Sequence, residues 1–93
     1  MTRHDSEKKR ENNSAAVAKA HGWYTRKRTT PGRRGAFDRL YIKAGRVIFA
    51  EYKLPGVELD PLQVEEKEEL DAAGAENYVL HSVDETKAVL GIV

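Results

Sequence analysis

The sequence predicts a single α/β domain whose elements follow the order α-β-β-β-α-β-α. A length of 93 residues fits one small domain and leaves no room for a second. A hydrophobic fraction of 40% beside a charged fraction of 33% is typical of a globular chain with a small core. Short alternating segments are interleaved with polar segments that carry helix caps. We therefore expect a mixed β-sheet flanked by helices, and a core this small favours support from a partner subunit.

The first half of the chain predicts a helix and then three strands. Residues 6–21 are polar and end at a glycine, as helices often do. Residues 23–30 alternate well enough for a first strand. Residues 37–43 and 46–53 flank a tight turn and predict a hairpin.

The second half predicts a helix, a strand and a last short helix. Asp60 followed by Pro61 is typical of a helix start, and this helix is expected to run to about residue 73. Residues 76–82 predict a strand. A capping box over residues 82–85 predicts the start of the last helix.

Charged side chains interrupt the apolar pattern of the hairpin at one end. Val47, Phe49, Glu51 and Lys53 share one strand face, which we expect to be the apolar face. Asp38 begins the neighbouring strand, and in an antiparallel hairpin that start lies beside the end of the next strand. The pattern therefore predicts that two carboxylates and one amine converge at the rim of the sheet.

A divalent metal would relieve the repulsion between two such carboxylates. Mg²⁺ binds through one or two carboxylates and substrate phosphate oxygens, and it keeps several waters. Lys53 beside such a site could orient an attacking water or neutralise developing charge. The residues alone leave a second interpretation open, in which Glu51 and Lys53 form a solvated pair at a fraying strand end.

The charge distribution is strongly asymmetric along the chain. Residues 1–56 hold 14 Lys and Arg against 5 Asp and Glu, whereas residues 57–93 hold 2 against 10. The basic half predicts a polyanionic partner. The chain has no cysteine, which excludes disulfides and Cys-bound zinc, and its start shows no apolar segment typical of a signal peptide. We therefore expect an intracellular protein of the cytoplasm.

The segment PGRRGAFDRLYIKAGRVIFAEYKLPGVELDPLQ, residues 31–63, closely resembles the VRR-Nuc family of the PD-(D/E)xK nuclease superfamily. The resemblance extends over residues 7–90 and implies a core like that of restriction endonucleases. The chain departs from the family pattern at Phe37, where the family has a proline before its acid. Because that proline mainly stiffens the backbone, we expect no loss of activity.

The resemblance implies a role for each residue of the expected site. Asp38 and Glu51 would bind Mg²⁺ or Mn²⁺ together with the backbone carbonyl of Tyr52, and Lys53 would position the water. Two further side chains would complete the site: Gln63 as an orienting residue and Glu11 as a third acid, acting directly or through water. Gln63 has a simpler alternative as the capping partner of Asp60, and Glu11 as a solvated helix residue.

The resemblance implies a metal-dependent DNA endonuclease that acts on branched DNA such as four-way junctions, as a homodimer. We expect mainly phosphate contacts from the basic half. The residues proposed for them are Arg26, Lys27, Arg28, Arg33, Arg34 and Arg39. Trp23 and Tyr24 are expected in the core. The alternatives are a binding module that keeps the nuclease fold without catalysis, and a small toxin-like or antitoxin-like interaction protein, which leaves the charged triplet unexplained.

Overall fold

The computed structural model describes residues 2–29 and 34–93 as a four-stranded sheet with helices on both faces. The predicted order of elements is confirmed. The elements are α1 (Arg3–Ala20), β1 (Tyr24–Lys27), β2 (Arg39–Lys43), β3 (Arg46–Tyr52), α2 (Pro61–Ala72), β4 (Glu76–Leu80) and α3 (Val83–Leu90). Within the described ranges, none of these helices is long and apolar enough to cross a membrane.

The sheet is mixed, as predicted, with strand order β1-β2-β3-β4. The β1–β2 and β2–β3 pairs are antiparallel, and β4 runs parallel to β3 after the crossover through α2. The turn between β2 and β3 places Ala44 at φ 51° and Gly45 at φ 80°. Two successive positive φ values match the right-handed twist of a hairpin, so this turn fixes the register of both strands.

The main core lies on the sheet face opposite to the predicted one. Ile48 is 0% exposed and packs with Tyr41 and Tyr52, whereas Val47 is 40% exposed. Helices α1 and α3 cover this face through residues such as Ala18 and Leu90. The prediction that Val47 and Phe49 mark the apolar face was therefore wrong, because all three residues 47–49 are apolar and the covering helices decide which face is buried.

A chain of buried hydroxyl groups crosses the core. The hydroxyls of Tyr41 and Tyr52 lie 2.7 Å apart, and the Tyr52 hydroxyl lies 3.0 Å from Oγ1 of Thr86. Thr86 in turn donates to Oγ of Ser14 at 3.1 Å. Burial raises the pKa of both tyrosines, which keeps them protonated. The chain of hydrogen bonds thereby ties α1 and α3 to the hairpin.

The boundaries of α1 and β1 differ from the prediction. Helix α1 begins at Arg3 because the Thr2 side chain accepts a hydrogen bond from the backbone N–H of Asp5 at 3.2 Å. Strand β1 is shorter than predicted. Trp23 is buried, as expected, but Tyr24 is half-exposed and lies beneath the guanidinium of Arg26.

Helix α2 lies on the other face of the sheet and is held largely by polar contacts. Its buried residue is Glu66, whereas Leu62 is exposed. Arg28 donates to Glu66 at 3.3 Å and stacks over the ring of Phe49 at 4.7 Å. The acidic helix is therefore joined to the basic half of the same chain, on the face of the sheet that carries the predicted site.

Candidate active site

The sheet brings the two predicted carboxylates together. Because Arg39 pairs with Ala50 across the hairpin, the next position outward places Asp38 beside Glu51. Asp38 Oδ2 accepts a hydrogen bond from the backbone N–H of Tyr52 at 3.2 Å. This hydrogen bond holds Asp38 against the end of β3, next to Glu51.

A cavity of about 240 Å³ opens where these strands end. All five side chains that were predicted to be catalytic line it, as does Lys27 from the predicted phosphate-binding set. The lining residues are Glu7, Lys8, Glu11, Lys27, Asp38, Glu51, Lys53 and Gln63. Glu7 and Lys8 were missed by sequence reasoning, and only the predicted proximity of α1 to the carboxylates, through Glu11, could have suggested them.

Glu51 is the most constrained acid of the site. It is 2% exposed, and Gln63 donates to its Oε2 at 3.0 Å. No hydrogen-bond donor from the described residues reaches its other oxygen, Oε1. Burial, reinforced by the charge of Asp38 and opposed by that of Lys53, raises the pKa of Glu51 to about 9. The isolated protein therefore holds a neutral carboxyl group here, with an oxygen that lacks a partner.

Gln63 makes the contacts that both of its predicted roles require. Its side-chain oxygen accepts from the backbone N–H of Asp60 at 3.0 Å, and Asp60 accepts from the backbone N–H of Gln63 at 3.0 Å, which closes a capping box. Its amide nitrogen is left free to donate to Glu51. The start of α2 thus fixes the rotation of the Glu51 carboxylate.

Glu11 reaches the same cavity from α1 but is held by Arg39. The Arg39 Nε donates to Glu11 Oε2 at 3.1 Å, and both residues are buried. Burial, more than the nearby charge of Asp38, raises the pKa of Glu11, whereas Lys27 and Arg39 oppose the rise. Glu11 therefore lies beside the carboxylate pair, with one oxygen committed to a guanidinium.

Lys53 is buried at the cavity just beyond the end of β3, and its backbone is held on two sides. Its N–H donates to the Leu80 carbonyl at 3.0 Å, and its own carbonyl accepts from Nδ1 of His81 at 3.0 Å. Glu7 accepts from the next backbone N–H, that of Leu54, at 3.2 Å. No local pattern in the sequence indicates these supporting roles of Glu7 and His81.

The donors at the site fit a hard divalent cation. The unpartnered Oε1 of Glu51 and the carboxylate of Asp38 supply the oxygen ligands that Mg²⁺ prefers. Over residues 2–29 and 34–93, no three His, Asp or Glu side chains gather as a metal cluster. Metal binding by Asp38, Glu51, Glu11 and the Tyr52 carbonyl stays a prediction.

The predicted phosphate-binding residues do not share one environment. Arg34 and Arg26 are exposed, and Lys27 lines the cavity. Arg28 is engaged by Glu66. Arg39 is buried against Glu11, so its position does not support a phosphate contact. Arg33 lies outside the described residues.

The comparisons with known proteins agree with this geometry. A solved VRR_NUC domain superimposes with a TM-score of 0.82 at 28% identity, over 91% of this chain and 94% of the other. The chain is therefore similar to a VRR_NUC domain in its fold and along nearly its whole length. The chain is also 45% identical over 56 residues to "Putative nuclease p44" of Acyrthosiphon pisum secondary endosymbiont phage 1. That alignment covers 59% of this chain and 60% of the phage protein, and no family model matches the sequence. The chain therefore shares the fold of a VRR_NUC domain, and part of its sequence is similar to a protein named as a nuclease.

Proposed function

We propose that this chain is a VRR-Nuc domain that acts as a divalent-metal-dependent DNA endonuclease and hydrolyses phosphodiester bonds. The observation that carries the proposal is the unpartnered Oε1 of buried Glu51, beside Asp38 and in the same cavity as Lys53. A buried carboxylate oxygen without a donor is costly unless a cation or a proton satisfies it. The phage relative that is named a nuclease supports the same activity.

Each polar residue of the cavity has a distinct task in this proposal. Mg²⁺ or Mn²⁺ held by Asp38, Glu51 and the Tyr52 carbonyl would supply positive charge beside the scissile phosphate. Lys53 orients the attacking water and stabilises charge on the phosphoryl oxygens, since it lines the same cavity as Asp38 and Glu51. Gln63 keeps Oε1 of Glu51 turned to the cavity by binding Oε2.

Lysines at the mouth of the cavity are proposed to hold the DNA backbone. Lys8 and Lys27 reach it from α1 and β1, and neither has a hydrogen-bond or ion-pair partner among the described residues. Exposed Arg26 and Arg34 extend the basic surface. Contacts of this kind position the duplex without reading its sequence, which suits an enzyme selective for DNA structure.

We further propose a homodimer acting on branched DNA such as four-way junctions. Two incisions in a junction require two cutting sites, and the described part of one chain forms one such cavity. The sheet face that carries the site also leaves Tyr24 and Val47 substantially exposed, with Ile42 between them in the strand register. This strip offers apolar surface for a second copy.

The test is incubation with labelled duplex, flap and four-way-junction DNA in Mg²⁺, Mn²⁺ or EDTA. We expect cleavage only with a metal, greatest on the branched substrate, and none with Asp38→Asn. Glu65→Gln, an exposed carboxylate of α2, is the matched control and should cut normally. Cutting in excess EDTA would refute the metal site. Binding without cutting under every condition would favour the alternative, a binding module that retains the fold.

A further inference from the structure

A buried ion pair stands at the back of the cavity. Glu11 is 3% exposed and Arg39 is 8% exposed, and Arg39 Nε lies 3.1 Å from Glu11 Oε2. Replacing a buried ion pair by packed apolar residues is often neutral or stabilising, so stability alone is a weak reason for it. Its position beside the site indicates another role.

The guanidinium of Arg39 is fixed at two points. Its Nη1 donates to Oγ1 of Thr25 at 3.2 Å, and that hydroxyl donates to the Leu40 carbonyl at 2.9 Å. One end of the planar group is thus anchored to β1 and β2, and the other end holds Glu11 on α1. A lysine has a single ammonium group in place of the rigid fork and cannot reproduce this arrangement.

Asp38 directly precedes Arg39, the first residue of β2. Successive residues of a strand point to opposite faces of the sheet. Asp38 therefore faces Glu51 on one side, while Arg39 holds Glu11 on the other. A single short segment sets the positions of acids from two different elements.

We propose that Arg39 is a positioning residue that holds the Glu11 carboxylate at the cavity. Glu11 then accepts hydrogen bonds from water at the site, and Arg39 itself touches neither DNA nor cation. This role rests on the proposed nuclease function. It predicts that Arg39 acts only through Glu11.

The test is a double-mutant cycle of Glu11→Gln and Arg39→Met with two readouts. Calorimetry measures Mn²⁺ affinity in the absence of DNA, and single-turnover assays measure the cleavage rate at saturating DNA. Each single variant should lose about 10-fold or more in both, the range found for groups that support metal ligands. The double variant should lose no more than Glu11→Gln alone. Losses that multiply would overturn the proposal.

Lysine and threonine variants separate positioning from folding. Arg39→Lys keeps the charge, so its melting temperature should return to that of the wild type. Its Mn²⁺ affinity and cleavage rate should not recover. Full recovery of both would overturn the need for the rigid guanidinium group. Thr25→Val removes the second anchor and should shift the rate in the same direction by a smaller factor; an unchanged rate would count against the proposal. If Arg39→Met does not fold, these two variants still decide the question.

A matched control and a binding assay complete the design. Arg46→Met breaks an exposed Arg–Glu pair elsewhere in the sheet and should change neither readout. DNA affinity should be unchanged in Arg39→Met, because the guanidinium is buried; weaker DNA binding at an unchanged rate would show a DNA contact and overturn the proposal. Should the protein bind Mn²⁺ but cut no DNA, the proposed function fails while the Mn²⁺ cycle still tests Arg39.

Discussion

Glu51→Gln should remove the pH dependence of stability that the buried Glu51 carboxyl group causes. The folded protein, without metal, holds Glu51 at a pKa of about 9 against an ordinary value of 4.5. Between these values the folded state binds a proton that the unfolded state has lost. The stabilisation is therefore complete below the lower pKa and is lost as the pH rises through the higher one.

The size of this fall in stability follows from the one additional proton that the folded state binds. Stability should fall by about 1.4 kcal/mol per pH unit within that window, or about 2.7 kcal/mol between about pH 6 and about pH 8. In a domain of this size each kcal/mol shifts the melting temperature by about 4–8 °C. Glutamine has no proton to lose, and its amide can still meet Gln63. The variant should lose this slope and be the more stable protein at the higher pH.

The assay is thermal melting in EDTA at both pH values. Glu65→Gln on α2 is the matched control and should follow the wild type. The pKa of Glu11 is also raised, so Glu11 makes the stability of every variant fall with pH as well. The quantity to compare is therefore the difference in melting temperature between the wild type and Glu51→Gln. Added Mg²⁺ should stabilise the wild type most at the higher pH. Parallel curves for the wild type and Glu51→Gln would refute the reasoning.

Three further predictions concern turnover, DNA contact and the hairpin turn. Lys53→Ala should reduce the single-turnover rate far more than DNA affinity measured by anisotropy, because its ammonium group acts in the transition state; an unchanged rate with weaker binding would make it a phosphate clamp. Lys8→Ala and Lys27→Ala should each reduce the slope of log binding constant against log salt concentration, measured on duplex DNA, by about 0.9. Glu68→Gln on α2 should leave this slope unchanged. A slope that responds as strongly to Glu68→Gln would contradict this orientation of the domain on DNA. Ala44→Asn should stabilise the protein by up to about 1 kcal/mol in chemical denaturation, because Ala44 has a φ of 51° and asparagine tolerates this conformation better. Gly45→Ala should be destabilising. A less stable Ala44→Asn would contradict the turn geometry.

Local signals in the sequence predicted the order of elements and the ends of several of them. Asp60 and Pro61 mark the start of α2, and Ser82 caps α3 by accepting from the N–H of Glu85. These features depend on neighbours within a few residues, so the chain shows them directly. The convergence of Asp38 and Glu51 also followed from alternation and antiparallel pairing alone.

Features that depend on distant elements could not be obtained in this way. Residues 47–49 are all apolar, so alternation does not tell which face α1 and α3 will cover. Arg39 was grouped with surface arginines because its partner, Glu11, lies 28 residues earlier in the chain. Glu11 itself was identified through family resemblance, since nothing in its polar helix distinguishes it.

The hairpin couples the accuracy of folding to the assembly of the site. Slipping one strand by a single residue would turn Tyr41 or Ile48 outward and would carry a carboxylate into the hydrophobic interior. The penalty for a misaligned core is therefore also a penalty for a misaligned pair of acids. Chains that pack correctly have already brought Asp38 and Glu51 together. Correct packing of the core therefore also ensures correct assembly of the site on the other face of the sheet.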